Sequence, residues 1–298
     1  MAIDPKLPPR AGSRFSSVSA SVQTPSPLVG GSREFDFTAA DFERVRKLIY
    51  QQAGISLAAS KQDMVYSRLA RRLRATGLKS FAVYLERLER GDKVEWEAFI
   101  NSLTTNLTSF FREAHHFPIL AEHLKKRSST EPFRIWCSAS STGEEPYSIA
   151  MTVLETLSSI SHVSIVASDI DTSVLATASA GEYAPDRVDR MEPERLRRFF
   201  DRKGDRYVAK PELKRQINFQ RLNLLDPVWS LKGPFDVIFC RNVMIYFDKP
   251  TQYKILSRFA PLLKADGVLI AGHSESFLHA ADLFSSVGKT VYQLARRP

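Results

Sequence analysis

The sequence predicts an α/β protein: a doubly wound, mostly parallel sheet, preceded by an all-α region and interrupted by a small insert. Three observations carry this reading. Short β-rich runs at 133–137, 163–167, 235–240 and 267–271 alternate with helical segments such as 145–157 and 251–263. Before residue 105, apolar residues recur at helical spacing. Between the second and third β-rich runs the alternation lapses over 181–220. There, helix formers at 192–200 and a Gly204-Asp205 turn beside Tyr207-Val-Ala suggest a helix plus a small antiparallel hairpin.

Taken in order, residues 1–33 are rich in Ser and Pro, with a single acid, Asp4, and no apolar periodicity, which predicts a disordered tail. Five prolines there argue against an amphipathic transit helix. The helical region spans 34–105. Thr38-Ala-Ala-Asp opens its first helix as a relative of the capping box, Phe42, Val45, Leu48 and Ile49 form the buried stripe, and Gly54 ends it. A second helix runs from about Ser60 to Gly77 along Val65, Leu69 and Leu73. Ser80 caps a third, which carries Phe81, Tyr84, Leu85 and Leu88. A fourth follows through Trp96, Phe99, Ile100 and Leu103. Residues 106–130 supply a linker and one more helix near 113–126. Residues 131–298 hold the sheet, with the insert at about 182–220.

The 298 residues are enough for a large core, and 43% hydrophobic with 25% charged is globular composition. No run of eighteen uncharged apolar residues occurs, which excludes a membrane-spanning helix. The start lacks a basic stretch leading into an apolar run, so no secretory signal is read. Two cysteines, Cys137 and Cys240, are too few for a disulfide framework or a zinc site. A soluble, cytoplasmic monomer is expected. With 42 Lys+Arg against 33 Asp+Glu, the formal charge of +9 suits an anionic partner.

Several constellations point to a ligand at the carboxyl edge of the sheet. Trp136-Cys-Ser-Ala-Ser-Ser-Thr-Gly-Glu-Glu-Pro-Tyr-Ser runs from a strand through small residues into a helix. Its carboxylates, Glu144 and Glu145, disfavour a phosphate and favour a hydroxyl-rich or cationic ligand. One glycine is too few for a dinucleotide fingerprint. Asp169, at the end of the next strand, is placed to accept from ribose hydroxyls, while Asp171 suits a helix cap. Asn223-Leu-Leu-Asp and the strand end carrying Arg241, Asn242 and then Tyr246 add a third cluster. Asn106, Thr108 and Arg112, in Leu103-Thr-Thr-Asn-Leu-Thr-Ser-Phe-Phe-Arg-Glu, are able to reach over the ligand. Together these indicate a nucleoside-bearing cofactor. Each cluster taken alone also fits a plain cap or turn. His115 and His116 are adjacent, on different helix faces, and no metal-ligand set or G-x-S-x-G elbow is present. His273-Ser-Glu either lines the pocket or turns the chain. Residues 61–79 hold six Lys/Arg and one acid; Arg68, Arg71, Arg72 and Arg74 are expected to form a docking face for an acidic partner.

At these motifs the sequence resembles the chemotaxis receptor methyltransferases, the CheR family. The resemblance covers about residues 35–298 and rests on Thr105-Asn-Leu-Thr-Ser-Phe-Phe-Arg-Glu, Ser141-Thr-Gly-Glu-Glu-Pro-Tyr-Ser, Ala167-Ser-Asp-Ile-Asp, Phe239-Cys-Arg-Asn-Val-Met-Ile-Tyr-Phe and Ala271-Gly-His-Ser-Glu, in order and spacing. It implies a helical N-terminal domain joined to a Rossmann-like S-adenosylmethionine (SAM) methyltransferase domain with an inserted antiparallel β-subdomain. It also implies methyl esterification of glutamates on the cytoplasmic helices of methyl-accepting chemotaxis receptors, with S-adenosylhomocysteine as product and no metal. By the same resemblance Asn106, Thr108, Arg112, Glu145, Asp169, Asn223, Leu224, Arg241 and Asn242 match cofactor-contacting positions, and Arg112 and Tyr246 flank the transferred methyl. Neither nucleic acid nor membrane insertion is expected. Some family members hold a C-terminal receptor pentapeptide by strand addition through a longer hairpin; the tight turn at Gly204-Asp205 predicts no strong tethering here. Two other readings compete: a SAM-dependent methyltransferase of another substrate, and a SAM-sensing regulatory module. Asn/Asp-Pro-Pro-Tyr/Phe, common in base methyltransferases, is replaced by Cys240-Arg-Asn-Val.

Overall fold

Helix α1 (Ala39–Ala53) starts where Thr38 and Asp41 satisfy each other reciprocally: Asp41 N donates to Thr38 Oγ1 at 3.1 Å and Thr38 N to Asp41 Oδ2 at 3.0 Å. The computed structural model describes residues 33–127 and 131–296. Gly54 ends α1 in the left-handed region (φ 68°), as Gly77 ends α2 (Gln62–Thr76). Helices α3 (Phe81–Glu89) and α4 (Lys93–Leu103) complete a bundle whose interior holds Val45, Ile49, Leu69, Leu73, Phe81 and Phe99. Ser80 occupies the cap position of α3 but makes no side-chain cap bond; Asp92 does cap α4. A buried polar knot ties the bundle together. Glu95 receives a bidentate pair from Arg72 (3.0 and 2.8 Å) and the Tyr84 hydroxyl at 2.8 Å. Burial, then the Glu95 bond, pushes the Tyr84 phenol far above its ordinary range.

After α5 (His116–Lys126) the chain enters the sheet at β1 (Phe133–Cys137) and continues through α6 (Glu144–Thr156), β2 (Val163–Asp169) and α7 (Thr172–Ala180). The insert follows: β3 (Glu182–Tyr183), α8 (Pro185–Val188), α9 (Pro193–Phe199), β4 (Phe200–Lys203), β5 (Arg206–Ala209) and α10 (Pro211–Lys214). The sheet resumes with β6 (Ile217–Arg221), β7 (Phe235–Cys240), α11 (Lys249–Phe259), β8 (Leu263–Ala271), β9 (Phe284–Gly288) and β10 (Val291–Leu294). Seven strands lie in the order β6-β2-β1-β7-β8-β10-β9. The first five are parallel to one another; β10 runs antiparallel to both β8 and β9.

Alternation along the strands builds two cores. Ile135, Cys137, Val237, Phe239, Val268 and Ile270 face α5, α6 and the insert. Trp136, Ile238, Cys240, Leu269 and Ala271 face α11. Trp136 is fully buried and donates its indole N–H to Ser168 Oγ at 2.9 Å; truncation to Ala would cost about 3–5 kcal/mol.

The sequence reading stopped short at the sheet's margins. β6, placed in the insert by residue number, pairs parallel with β2 from Ile217 through Arg221 and is an edge strand of the main sheet. Its burial is partial, so it lacks the apolar run that marks β7. Of the terminal pair, β9 is polar and mostly exposed and β10 is only four residues long, so neither stands out. The insert's sheet has three strands, β3-β5-β4, because β3 joins the expected hairpin. The tail expected over 1–33 lies, Arg33 excepted, outside the described residues. No helix among the described residues is long and apolar enough to cross a membrane.

Bundle and sheet meet along the end of α1 and the turn after it. Gln52 O accepts from Asn223 Nδ2 at 2.8 Å, Ser56 N donates to Tyr246 O at 2.8 Å, and Tyr50 Oη donates to Asp248 Oδ2 at 2.8 Å. Gly54 sits in this seam, where an added Cβ would come within 2.6 Å of Leu225 Cδ1. Gly54→Ala should therefore destabilise the protein by about 1–2 kcal/mol, from left-handed backbone strain plus crowding. Chemical denaturation checks this; an unchanged midpoint would show that the seam yields freely.

Candidate functional site

A cleft of about 500 Å³ opens at the carboxyl edge of the parallel strands, within the range of small-ligand sites. Every residue assigned above to the cofactor lines it: Asn106, Thr108, Arg112, Glu145, Asp169, Asn223, Leu224, Arg241 and Asn242. Tyr246 lines it as well.

The floor comes from the β1–α6 turn. Gly143 (φ 102°) turns the chain into α6 against Tyr183, whose hydroxyl would lie 2.7 Å from an added Cβ. Ser141 N donates to Asp169 Oδ2 at 2.8 Å and Asp171 N to Asp169 Oδ1 at 3.0 Å, so Asp169 is aimed by backbone donors. Burial outweighs those donors and raises its carboxyl to about 6. Asp171 caps α7 through Ser173 N and Val174 N, and also receives Asn106 Nδ2 at 2.9 Å. It is the cap the sequence suggested, and it fastens the 104–108 segment over the cleft.

Glu144 and Glu145 part ways. Glu144 is fully buried, ion-paired with Arg187 and outside the cleft lining. Glu145 faces the cleft, accepting from Arg241 Nη1 at 2.5 Å and from Cys137 Sγ at 3.2 Å. Burial and then Glu145 push the Cys137 thiol well above its usual range; burial and then Glu275 do the same to Cys240. Both thiols are inert packing groups.

Arg241 has a side chain 1% exposed. Its guanidinium meets Glu145, Glu113 (3.5 Å) and the Arg112 carbonyl oxygen. Asn242, held at φ 58°, follows it. Glu275, from the His273-Ser-Glu run, fixes that turn by accepting from the amides of Gly272 (2.6 Å), Asn242 (2.8 Å), Val243 (2.9 Å) and Met244 (2.7 Å). His273 itself bonds to Glu113 at 2.9 Å. Burial lifts Glu113, but the His273 bond and the Arg241 charge overcome it and hold the carboxyl down at about 2.

At the mouth, Arg112 Nη1 donates to Leu107 O at 2.8 Å and Tyr246 Oη to Thr105 O at 3.3 Å. Both side chains therefore rest on one strip of backbone. Asn223 holds Leu225 N at 3.0 Å and the Gln52 carbonyl; Thr108 O receives Arg187 Nη2 at 3.2 Å.

The basic helix is less open than its spacing implies. Arg68 turns inward onto the carbonyls of Leu103 (2.9 Å) and Thr104 (2.8 Å), and Arg72 belongs to the Glu95 knot. Arg71 and Arg74 are exposed.

Sequence reasoning missed one wall. Ile55, Leu57, Ala58, Lys61 and Met64, from the turn after α1 and the start of α2, also line the cleft. Gly54 signalled that the chain turns there, but nothing local reveals that it turns onto a sheet edge formed about 170 residues later.

A doubly wound sheet, an acid ending its second strand and a cleft of this size define a protein that binds a nucleoside-bearing cofactor. Comparison with known proteins narrows the class to SAM-dependent methyltransferases. Residues 40–104 match the CheR methyltransferase all-alpha domain and residues 106–293 the CheR methyltransferase SAM binding domain. The chain is 52% identical over 263 residues to the chemotaxis protein methyltransferase of Escherichia coli K12, covering 86% of this chain and 91% of that protein. It is 51% identical to chemotaxis protein methyltransferase 2 of Pseudomonas aeruginosa, covering 91% and 99%. The chain belongs to the CheR methyltransferase family.

SAM fits the donor set: the buried Asp169 has lone pairs left for ribose hydroxyls. The ionised carboxylate is the better acceptor, and its folded pKa of about 6 lies above the ordinary 3.8. Without ligand, this group's contribution to stability therefore falls as pH rises from about 4 through 6. SAM affinity should move oppositely, weakening about tenfold from pH 7 to pH 5 as Asp169 takes a proton. Asp169→Asn should flatten that slope and bind more weakly at pH 7. Calorimetric titration at both pH values checks it.

Proposed function

We propose that this chain acts in the cytoplasm as a protein-glutamate O-methyltransferase on the cytoplasmic helices of methyl-accepting chemotaxis receptors. Its products are glutamate methyl esters and S-adenosylhomocysteine. The observation that carries the reading is the convergence, in one cleft of a CheR family member, of the cofactor candidates with Arg112 and Tyr246 at the mouth.

Bound SAM supplies a methyl activated by its sulfonium. The residues' task is geometry. A glutamate side chain, with a reference pKa of about 4.3, is already ionised near neutral pH, so no strong general base is needed. The cleft lining contains no histidine among the described residues. An ester and a thioether carry less charge than the ions they form from. A tight ionic clamp on the carboxylate would therefore favour the ground state. Arg112 and Tyr246 accordingly orient the incoming carboxylate rather than activate it. Asp169 would hold the ribose, with Asn106 and Thr108 lining the same cleft.

Receptor-bearing membranes incubated with methyl-tritiated SAM should acquire base-labile label, as expected of a carboxyl ester; base-stable label would contradict the proposal. Arg112→Ala and Tyr246→Phe should each slow single-turnover methylation, by roughly 10- to 100-fold for a misplaced nucleophile, with unfolding midpoints preserved. A wild-type rate in Tyr246→Phe would remove the hydroxyl from the account.

Receptor docking is assigned to the basic face of α2, with Arg71 and Arg74 as its accessible members. Reversing both charges should raise the Michaelis constant for receptor and leave SAM affinity intact. Raising salt should weaken receptor methylation in the wild type, because exposed charges are screened over about 8–10 Å.

Strong tethering by a C-terminal receptor pentapeptide is not expected. The β4–β5 connection is a two-residue turn, Gly204-Asp205, which offers little pocket for side chains. The outer edge of β4 does lack a strand partner among the described residues, so strand addition has an edge to use. Titration with the pentapeptide decides between the two; saturable micromolar binding at physiological salt would overturn the expectation.

A further inference from the structure

Glu113 directly follows Arg112 and has so far been given no part in the reaction. Its carboxylate is 11% exposed and engaged on every side. It accepts from His273 N at 3.1 Å, from His273 Nδ1 at 2.9 Å and from Asn242 Nδ2 at 3.5 Å, and it lies 3.5 Å from Arg241 Nη2. The same Arg241 nitrogen donates to the Arg112 carbonyl. On the other side of Arg112, Phe111 N donates to Ser148 Oγ at 2.9 Å. The Phe111 ring is wedged between Phe117 (4.9 Å) and the Arg195 guanidinium (4.2 Å).

Phe111 (φ 51°) and Glu113 (φ 54°) both adopt the left-handed backbone that side chains disfavour. Such a conformation persists where the surroundings over-determine it. Neutralising Arg241 does not require Glu113, because Glu145 already sits 2.5 Å from that cation. What Glu113 adds is a tether from the Arg112 backbone to the ends of β7 and β8.

We infer that Glu113 is a positioning residue: locked to His273 and Arg241, it sets the backbone from which the Arg112 side chain reaches the point of methyl transfer. The inference rests on the reading of Arg112 given above. With the tether cut, Arg112 keeps its charge and loses its aim, and an ångström of misplacement is enough to cost about a hundredfold in rate. Most of the cofactor's hold should survive, since Asp169 and Asn223 keep their partners, Arg241 stays paired with Glu145, and only Arg112 and Asn242 feel the change directly.

The test is a double-mutant cycle in single-turnover methylation of receptor membranes, using E113A, E113Q, R112A and the double variant E113A/R112A. E113A should slow methylation roughly 10- to 100-fold, with a much smaller rise in the Michaelis constant for SAM and the unfolding midpoint little changed. E113Q should lose less, because its amide oxygen still accepts from His273. In the R112A background E113A should add nothing further. Additive effects, or an equal loss of SAM affinity in E113A, would overturn the proposal, placing Glu113's action outside Arg112. R112A at wild-type rate would instead overturn the reading of Arg112 itself, and the inference with it. Should E113A fail to fold, E113S, too short to reach His273 or Arg241, carries the same cycle. A wild-type rate in a folded E113S, with R112A impaired, would then count against the tether.

Discussion

One buried cation holds the working end of this molecule together. Arg241 leaves the end of β7 and joins two pieces of chain that are remote from it and from each other in sequence: Glu145 at the start of α6, and the Arg112 carbonyl with the neighbouring Glu113. Replacing such a group by apolar residues of similar volume is often neutral for stability, whereas removing one partner strands a charge. Its value here is register. With Arg241 in place, the first helix of the sheet, the segment over the cleft and the ends of β7 and β8 have one mutual arrangement.

Carboxylates do most of the fastening around it, each in a different way. Glu275 gathers four backbone amides and fixes the turn that leads to Tyr246. Asp171 caps α7 and holds Asn106. Glu95 ties α2 to α4 far from the cleft. Asp169 stands apart. Like Glu275 it is buried and raised toward neutrality, but unlike Glu275 it keeps lone pairs not used by the protein. Among these acids it is the one whose environment calls for a ligand, and that distinction separates binding from scaffolding better than exposure does.

Much of this was legible in the sequence, because local signals mark local structure. Thr38 with Asp41, Gly54 and Gly77 punctuate helices through backbone geometry that only certain side chains favour. Strands β1 and β7 announce themselves by β-rich runs buried on both faces. The motif residues were legible through resemblance, and they share one cleft. What escaped depends on distant partners. β6 is half-exposed and becomes a strand by pairing with β2. Arg68 and Arg72 sit at surface spacing, but their heads find carbonyls and Glu95 on α4. The wall formed by Ile55, Leu57 and Met64 exists because Gly54 turns the chain against Leu225 and Phe247. No periodicity encodes that meeting.

The central claim is that the cleft is built before the cofactor arrives, by Arg241 and the acids around it. Hydrogen exchange at the amides of Phe111, Ser141, Val243 and Met244, in SAM-free protein, tests this most directly. Each of these amides donates to a side-chain oxygen: Ser148, Asp169, Glu275 and Glu275 in turn. The account predicts slow exchange at all four without SAM, and little further slowing when it is added. Free exchange in the absence of SAM, with protection appearing only on binding, would contradict it and make the cofactor the organiser of the site.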